Sequence, residues 1–105
     1  MEEITLKECQ KIVRKFVEER NWNSPPNDIV MHMLEELGEI AREILRMQGY
    51  GGSHKKEDVN FGEELGDMFY LLLKLSNTLN MDISQEFLKK LEKNRDRFPP
   101  KTSIP

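Results

Sequence analysis

Apolar residues recur three and four positions apart along most of this chain, and nowhere do they alternate with polar ones as a half-buried strand requires. Leu6, Ile12, Val13, Phe16 and Val17 mark a first helix over about 5–20, and Thr5 followed three residues later by Glu8 has the spacing of a capping box. Asn21-Trp22-Asn23-Ser24-Pro25-Pro26 then breaks the pattern, because the prolines favour extended backbone before them and Asn and Ser favour turns and caps. A second helix is expected to begin near Asn27 or Asp28 and to carry Ile29, Val30, Met33, Leu34, Leu37, Ile40, Ala41, Ile44 and Leu45 toward Gly49. The segment from Gly49 to Lys56 has no periodicity, which predicts a flexible loop over about 49–57. A third helix over about 57–79 places Phe61, Leu65, Met68, Phe69, Leu72, Leu73, Leu75 and Leu79 around more than half its circumference, so it calls for cover on several sides. Asp82 and Gln85 form a second capping pair, and Phe87, Leu88 and Leu91 pattern a fourth helix that stops before Pro99-Pro100, leaving a tail over about 99–105.

Four helices and no strand signal predict an all-α four-helix bundle, and 105 residues suffice for one domain over 1–105. The third helix carries more apolar surface than three neighbours can cover. A second copy is expected to complete the core, making the protein a homo-oligomer. The methionines fall at apolar or boundary positions and read as core or pocket filler.

Charge narrows the partners. A net charge of −3 argues against a broad basic face for nucleic acid. Cys9 is the single cysteine, which leaves no internal disulfide and points to a reducing compartment, the cytoplasm. The Met-Glu-Glu start lacks the basic and apolar stretches of a secretory signal, and the longest apolar run, Met68 to Leu73, is far too short to span a bilayer. Neither membrane nor nucleic acid is an expected partner.

The chemistry concentrates in two matched blocks, Glu35-Glu36-Leu37-Gly38-Glu39 on the second helix and Glu63-Glu64-Leu65-Gly66-Asp67 on the third. At about 100° per residue, Glu36 and Glu39 stand roughly 60° apart, as do Glu64 and Asp67, each pair beside an apolar stripe. Packing the stripes together brings four carboxylates face to face, a costly arrangement unless cations fill it. Magnesium suits such a site, since it takes oxygen ligands, keeps waters and shares its shell with substrate phosphates; manganese is a substitute. A single acid pair would more simply face solvent, but two matched pairs on adjacent helices favour metal. Gly38 and Gly66 each cost roughly 1 kcal/mol inside a helix and call for a packing or approach reason.

These blocks, with Trp22 ahead of prolines and Lys90-Leu91-Glu92-Lys93-Asn94-Arg95-Asp96-Arg97-Phe98-Pro99 after them, resemble in order the MazG-like all-α nucleoside triphosphate pyrophosphohydrolases over about residues 12–99. The resemblance implies cleavage of nucleoside triphosphates between the α and β phosphates to a monophosphate and pyrophosphate, with Glu36, Glu39, Glu64 and Asp67 as magnesium ligands. It also implies a homodimer or homotetramer of helical bundles. Either Glu36 or Glu35 would orient the attacking water as general base, although Glu35 lies about 100° round the helix from Glu36 and reads equally as a surface charge. Glu63 and Glu43 read as neighbours of the ligands.

Lys90, Asn94, Arg95 and Arg97 sit where the family carries its Lys, Asn and Arg signature and would meet phosphates; on spacing alone the lysine and arginines equally make a basic helix end favoured by the macrodipole. Lys55 and Lys56 either close over phosphates or sit in a solvated loop. Trp22 can stack on a base or pack in the core, His32 lies one turn before Glu36, and Tyr70 one turn beyond Asp67 can reach sugar or base or pack inside. Two other functions compete. A carboxylate-bridged di-iron bundle needs Glu-x-x-His motifs, which neither His32 nor His54 supplies. A non-catalytic interaction module with an acidic face is the stronger rival.

Overall fold

Local capping sets where two of the helices start and where two of them stop. The computed structural model describes residues 3–49 and 61–100, which form α1 (Leu6–Arg20), α2 (Pro26–Met47), α3 (Phe61–Thr78) and α4 (Ile83–Arg97), without strands among them. At the head of α1 the Glu8 N–H donates to Thr5 Oγ1 (3.1 Å) while the Thr5 N–H donates to Glu8 Oε1 (2.9 Å), the reciprocal box expected there. Its far end closes on Asn21 in the left-handed region (φ 55°), with the Trp22 N–H donating back to Val17 O at 3.0 Å. The same device ends α3, where Asn80 (φ 56°) precedes a Met81 N–H bond to Ser76 O at 2.9 Å. Asp82 caps α4 by accepting from the N–H groups of Ser84 and Gln85.

The start of α2 differs from expectation. It begins at Pro26 rather than at Asn27 or Asp28, because a proline at the first helical position lacks only an N–H that has no intrahelical partner anyway. The helix ends at Met47, short of Gly49. The expected helical residues 57–60, the loop residues His54, Lys55 and Lys56, and tail residues 101–105 lie outside the described residues.

α3 packs against α2 and α1, and α4 rests on α1. Val13 and Val17 meet Leu73 in a small core flanked by Cys9, Tyr70 and Ile83. Full burial of one such aliphatic side chain stabilises by about 1.5–3 kcal/mol. The buried stripe of α1 is 10–13–17, so Ile12 and Phe16, expected to share the inner face, stand exposed and a polar residue takes their place. That residue, Gln10, is fully partnered: its Nε2 donates to Asn77 Oδ1 (2.9 Å) and Met81 O (2.8 Å), and its Oε1 accepts from the Ile83 N–H (3.0 Å). Asn77 Nδ2 donates in return to Gln10 O at 3.0 Å. One glutamine therefore ties α1 to the α3–α4 turn.

Elsewhere the apolar pattern is uncovered. Among the described residues 18 large apolar side chains are exposed against five buried, so a single chain hides only a minor part of its stripe. Cover of α3 on several sides is not met within one chain, with Leu65 59% exposed and Phe69 and Leu72 open as well. α2 buries only Ile29 fully and leaves Leu34 (56%), Leu37, Ile44 and Leu45 outside. Met31, Met47 and Met81 are exposed rather than core filler. A methyl group added at Gly38 or Gly66 would meet nothing within 4 Å, so one chain gives neither glycine a packing reason.

Candidate metal and nucleotide site

The i, i+3 spacing on two packed helices delivers the acids to one crevice. One carboxylate oxygen each from Glu36 of α2 and from Glu64 and Asp67 of α3 lie within 4.8 Å of one another. Glu36 is nearly enclosed, its side chain 14% exposed, and Glu64 is half-buried, whereas Asp67 opens to solvent. The Oε2 atoms of Glu36 and Glu64 are buried and accept no hydrogen bond. Burial, then the facing Glu36 and the charge of Glu39, push the Glu64 carboxyl up to about 7 from an ordinary 4.5. A carboxylate pair held this way carries a shared proton or a cation. Oxygen-only donors, two of them orphaned and one open to solvent, fit a hard divalent ion that shares its shell with a ligand from outside. Glu39 stands outside the tightest trio yet close enough to act on Glu64.

The flanking residues sort by position. His32 Nε2 lies 3.5 Å from Glu36 Oε1, on the exposed side of α2. Glu35 is exposed, and Glu43 pairs with Arg46 at 2.7 Å. Farther along α3 an aromatic cluster forms. The Phe16 ring meets Trp22 edge-on at 5.7 Å and Tyr70 at 5.9 Å, and the Arg20 guanidinium lies 3.8 Å over Phe16 and 6.0 Å from Trp22. Burial raises the Tyr70 hydroxyl above its ordinary value, with Arg20 opposing. Trp22 remains 53% exposed, a ring with one face to offer. Because Tyr70 follows Asp67 by three residues, this platform lies about 4.5 Å farther along the α3 axis than the acids.

Phe16 and Arg20 escaped the sequence reading. Their i, i+4 spacing and nearness to Trp22 are the only signal, and neither says that α3 brings Tyr70 to the same place. Lys90, Asn94 and Arg97 make no hydrogen bond or ion pair to the acids among the described residues. Lys90 borders an apolar groove with Leu6, Phe69 and Phe87, and Arg97 lies 5.1 Å from the Phe98 ring. Among the described residues no recorded hydrogen bond or ion pair joins α4 to the acidic trio.

Fold and site together define a helical protein whose paired acids suit a cation. Residues 25–101 match the MazG nucleotide pyrophosphohydrolase domain, and the chain belongs to that family. It is 28% identical to the dCTP pyrophosphatase 1 of Homo sapiens over 104 residues, covering 92% of this chain and 61% of that protein. It thus spans about three fifths of the length of those mammalian relatives. Two crystal structures share the fold at 29% identity: YPJD from Bacillus subtilis (TM-score 0.73, covering 89% of this chain and 95% of that one) and a Bacillus-conserved MazG protein, a nucleotide pyrophosphohydrolase (TM-score 0.70, 89% and 92%).

Proposed function

We propose that this chain hydrolyses nucleoside triphosphates, deoxy forms included, between the α and β phosphates, as a house-cleaning activity on the cytoplasmic nucleotide pool. One water oxygen bonds to phosphorus, the bridging α–β P–O bond breaks, and nucleoside monophosphate and pyrophosphate depart. Glu36, Glu39, Glu64 and Asp67 would hold magnesium, or manganese in its place, which when bound neutralises phosphate charge and acidifies water. Glu36 or Glu35 takes the proton of the attacking water. Trp22, Tyr70 and His32 hold base and sugar, and Lys90, Asn94 and Arg97 meet the phosphates. Among the described residues α4 makes no hydrogen bond or ion pair to the acids of its own chain, and in this reading a second copy in a homodimer or homotetramer offers these side chains and covers the open stripes of α2 and α3. Neither nucleic acid nor membrane takes part.

The orphaned, mutually facing oxygens of Glu36 and Glu64 carry this reading. Pyrophosphate release is measured over a panel of nucleoside triphosphates with magnesium, for the parent and for Glu39→Gln and Asp67→Asn. Release that falls by about 10²-fold or more in both variants supports the site; release that survives both removes it. A parent inactive with every nucleotide and indifferent to magnesium leaves the non-catalytic interaction module, which the exposed apolar stripe of α2 favours.

A further inference from the structure

The short connection from α1 to α2 carries Trp22, and beyond the contacts α1 makes with it, α3 holds it through a lysine. Asn21 in the left-handed region fixes where it leaves α1, but at the head of α2 the N-cap residue Pro25 supplies no side-chain cap. Between these ends, Lys74 of α3 donates from Nζ to Ser24 Oγ at 3.2 Å, and the Ser24 hydroxyl donates in turn to Trp22 O at 3.5 Å. Lys74 follows Tyr70 by four residues and Asp67 by seven, so all three lie along one side of α3.

A solvated lysine would reach past the helix into water. Lys74 instead stays half-buried at the wall of a cavity of about 110 Å³ shared with Arg14, Glu18, Asn23, Asn77 and Thr78. Its recorded hydrogen bond goes to a neutral hydroxyl, and no carboxylate lies within ion-pair distance of it among the described residues. Holding an ammonium there without a counter-charge costs desolvation, and what it obtains is a fixed loop.

We infer that Lys74 is a positioning residue: through Ser24 it sets the pose of Trp22 beside the Phe16–Tyr70 platform. Its kinetic consequence rests on the reading of Trp22 as a base-binding residue; its structural consequence does not. Misplacing a binding ring weakens capture of the nucleotide more than the chemistry at the acids, which lie on α2 and nearer the start of α3.

Trp22 is the only tryptophan, so its fluorescence reports the loop directly. The test measures acrylamide quenching of the nucleotide-free, full-length protein as parent, Lys74→Met, Lys74→Arg, Ser24→Ala and Glu18→Gln, with helicity followed by circular dichroism. Lys74→Met and Ser24→Ala should raise the quenching constant by up to about twofold, the ceiling left by a ring already 53% exposed, and Lys74→Arg should restore it. In an active enzyme the first two should raise KM for the triphosphate about five- to tenfold, the scale of one lost ordinary hydrogen bond, with kcat nearly unchanged. Quenching unchanged in folded Ser24→Ala overturns the inference, whether or not Lys74→Met folds. So does a response to Glu18→Gln but not to Ser24→Ala, which would make Lys74 the partner of Glu18. A parent without hydrolytic activity removes the function proposed above and leaves the fluorescence result standing.

Discussion

The α1–α3 side and the α2–α3 side of this molecule are built on opposite terms. On the first, Val13, Val17 and Leu73 close a core and every polar group of the buried Gln10 side chain has a partner. On the second, two buried carboxylate oxygens lack any hydrogen bond and the apolar stripe of α2 faces outward. The first region is finished within one chain and can be explained by folding alone. The second leaves its acids and its apolar stripe without partners among the described residues, and under the function proposed above a cation between the acids and a second copy over the stripe would supply them.

Substitutions on each side should therefore move stability in opposite directions. Gln10→Ala leaves the Met81 O and the N–H of half-buried Ile83 without their side-chain partner, and should cost about 1–2 kcal/mol in denaturant unfolding without changing magnesium affinity. A loss under 0.5 kcal/mol would mean that water replaces those bonds and that the finished side is less finished than it looks. The smallest effect belongs to the glycines of the acid motifs. With open space around them, Gly38→Ala and Gly66→Ala should each stabilise a single chain by about 0.5–1 kcal/mol through helix propensity. A destabilisation seen only in the oligomer would show that a second backbone approaches there.

How much of this was legible in the chain follows from the range of each interaction. The capping box at Thr5, the Asp82 cap and the i, i+3 acid pairs are local, and the helices that the two caps announce are present within a residue or two. Pro26 misled because a breaker inside a helix is a welcome first residue of one. The gathering of Glu36, Glu64 and Asp67 depended on which stripes pack together, and amphipathic spacing was enough to indicate it. Gln10 was not foreseen, since its bonds reach 67 to 73 residues along the chain and a polar residue on an apolar stripe carries no local mark of its partners. Phe16 and Arg20 were missed for the same reason: their value comes from Tyr70 on another helix. The exposure of α2 and α3 is the converse case, because periodicity reports that a face will be buried and not by which chain.

The claim that the Glu36–Glu64 pair awaits a cation is tested most directly by thermal melts between pH 5 and 7.5, with magnesium and with chelator. Glu64 keeps a proton in the folded, metal-free protein up to about pH 7, whereas the unfolded chain loses it near 4.5. Folding thus takes up a proton across this window, so chelated protein should lose stability as pH rises. Glu8 and Asp82 are held below the usual range by bonds from Thr5 and Ser84 and act in the opposite sense, but only below their ordinary values of 4.5 and 3.8, outside the window. Magnesium needs the carboxylate form, so its stabilisation should grow with pH, reaching about 2.7 kcal/mol at a hundredfold excess over its Kd. Glu64→Gln should abolish both the slope and the magnesium response. A chelated protein whose Tm does not fall with pH, together with a Tm at pH 7.5 that ignores magnesium, would contradict the account.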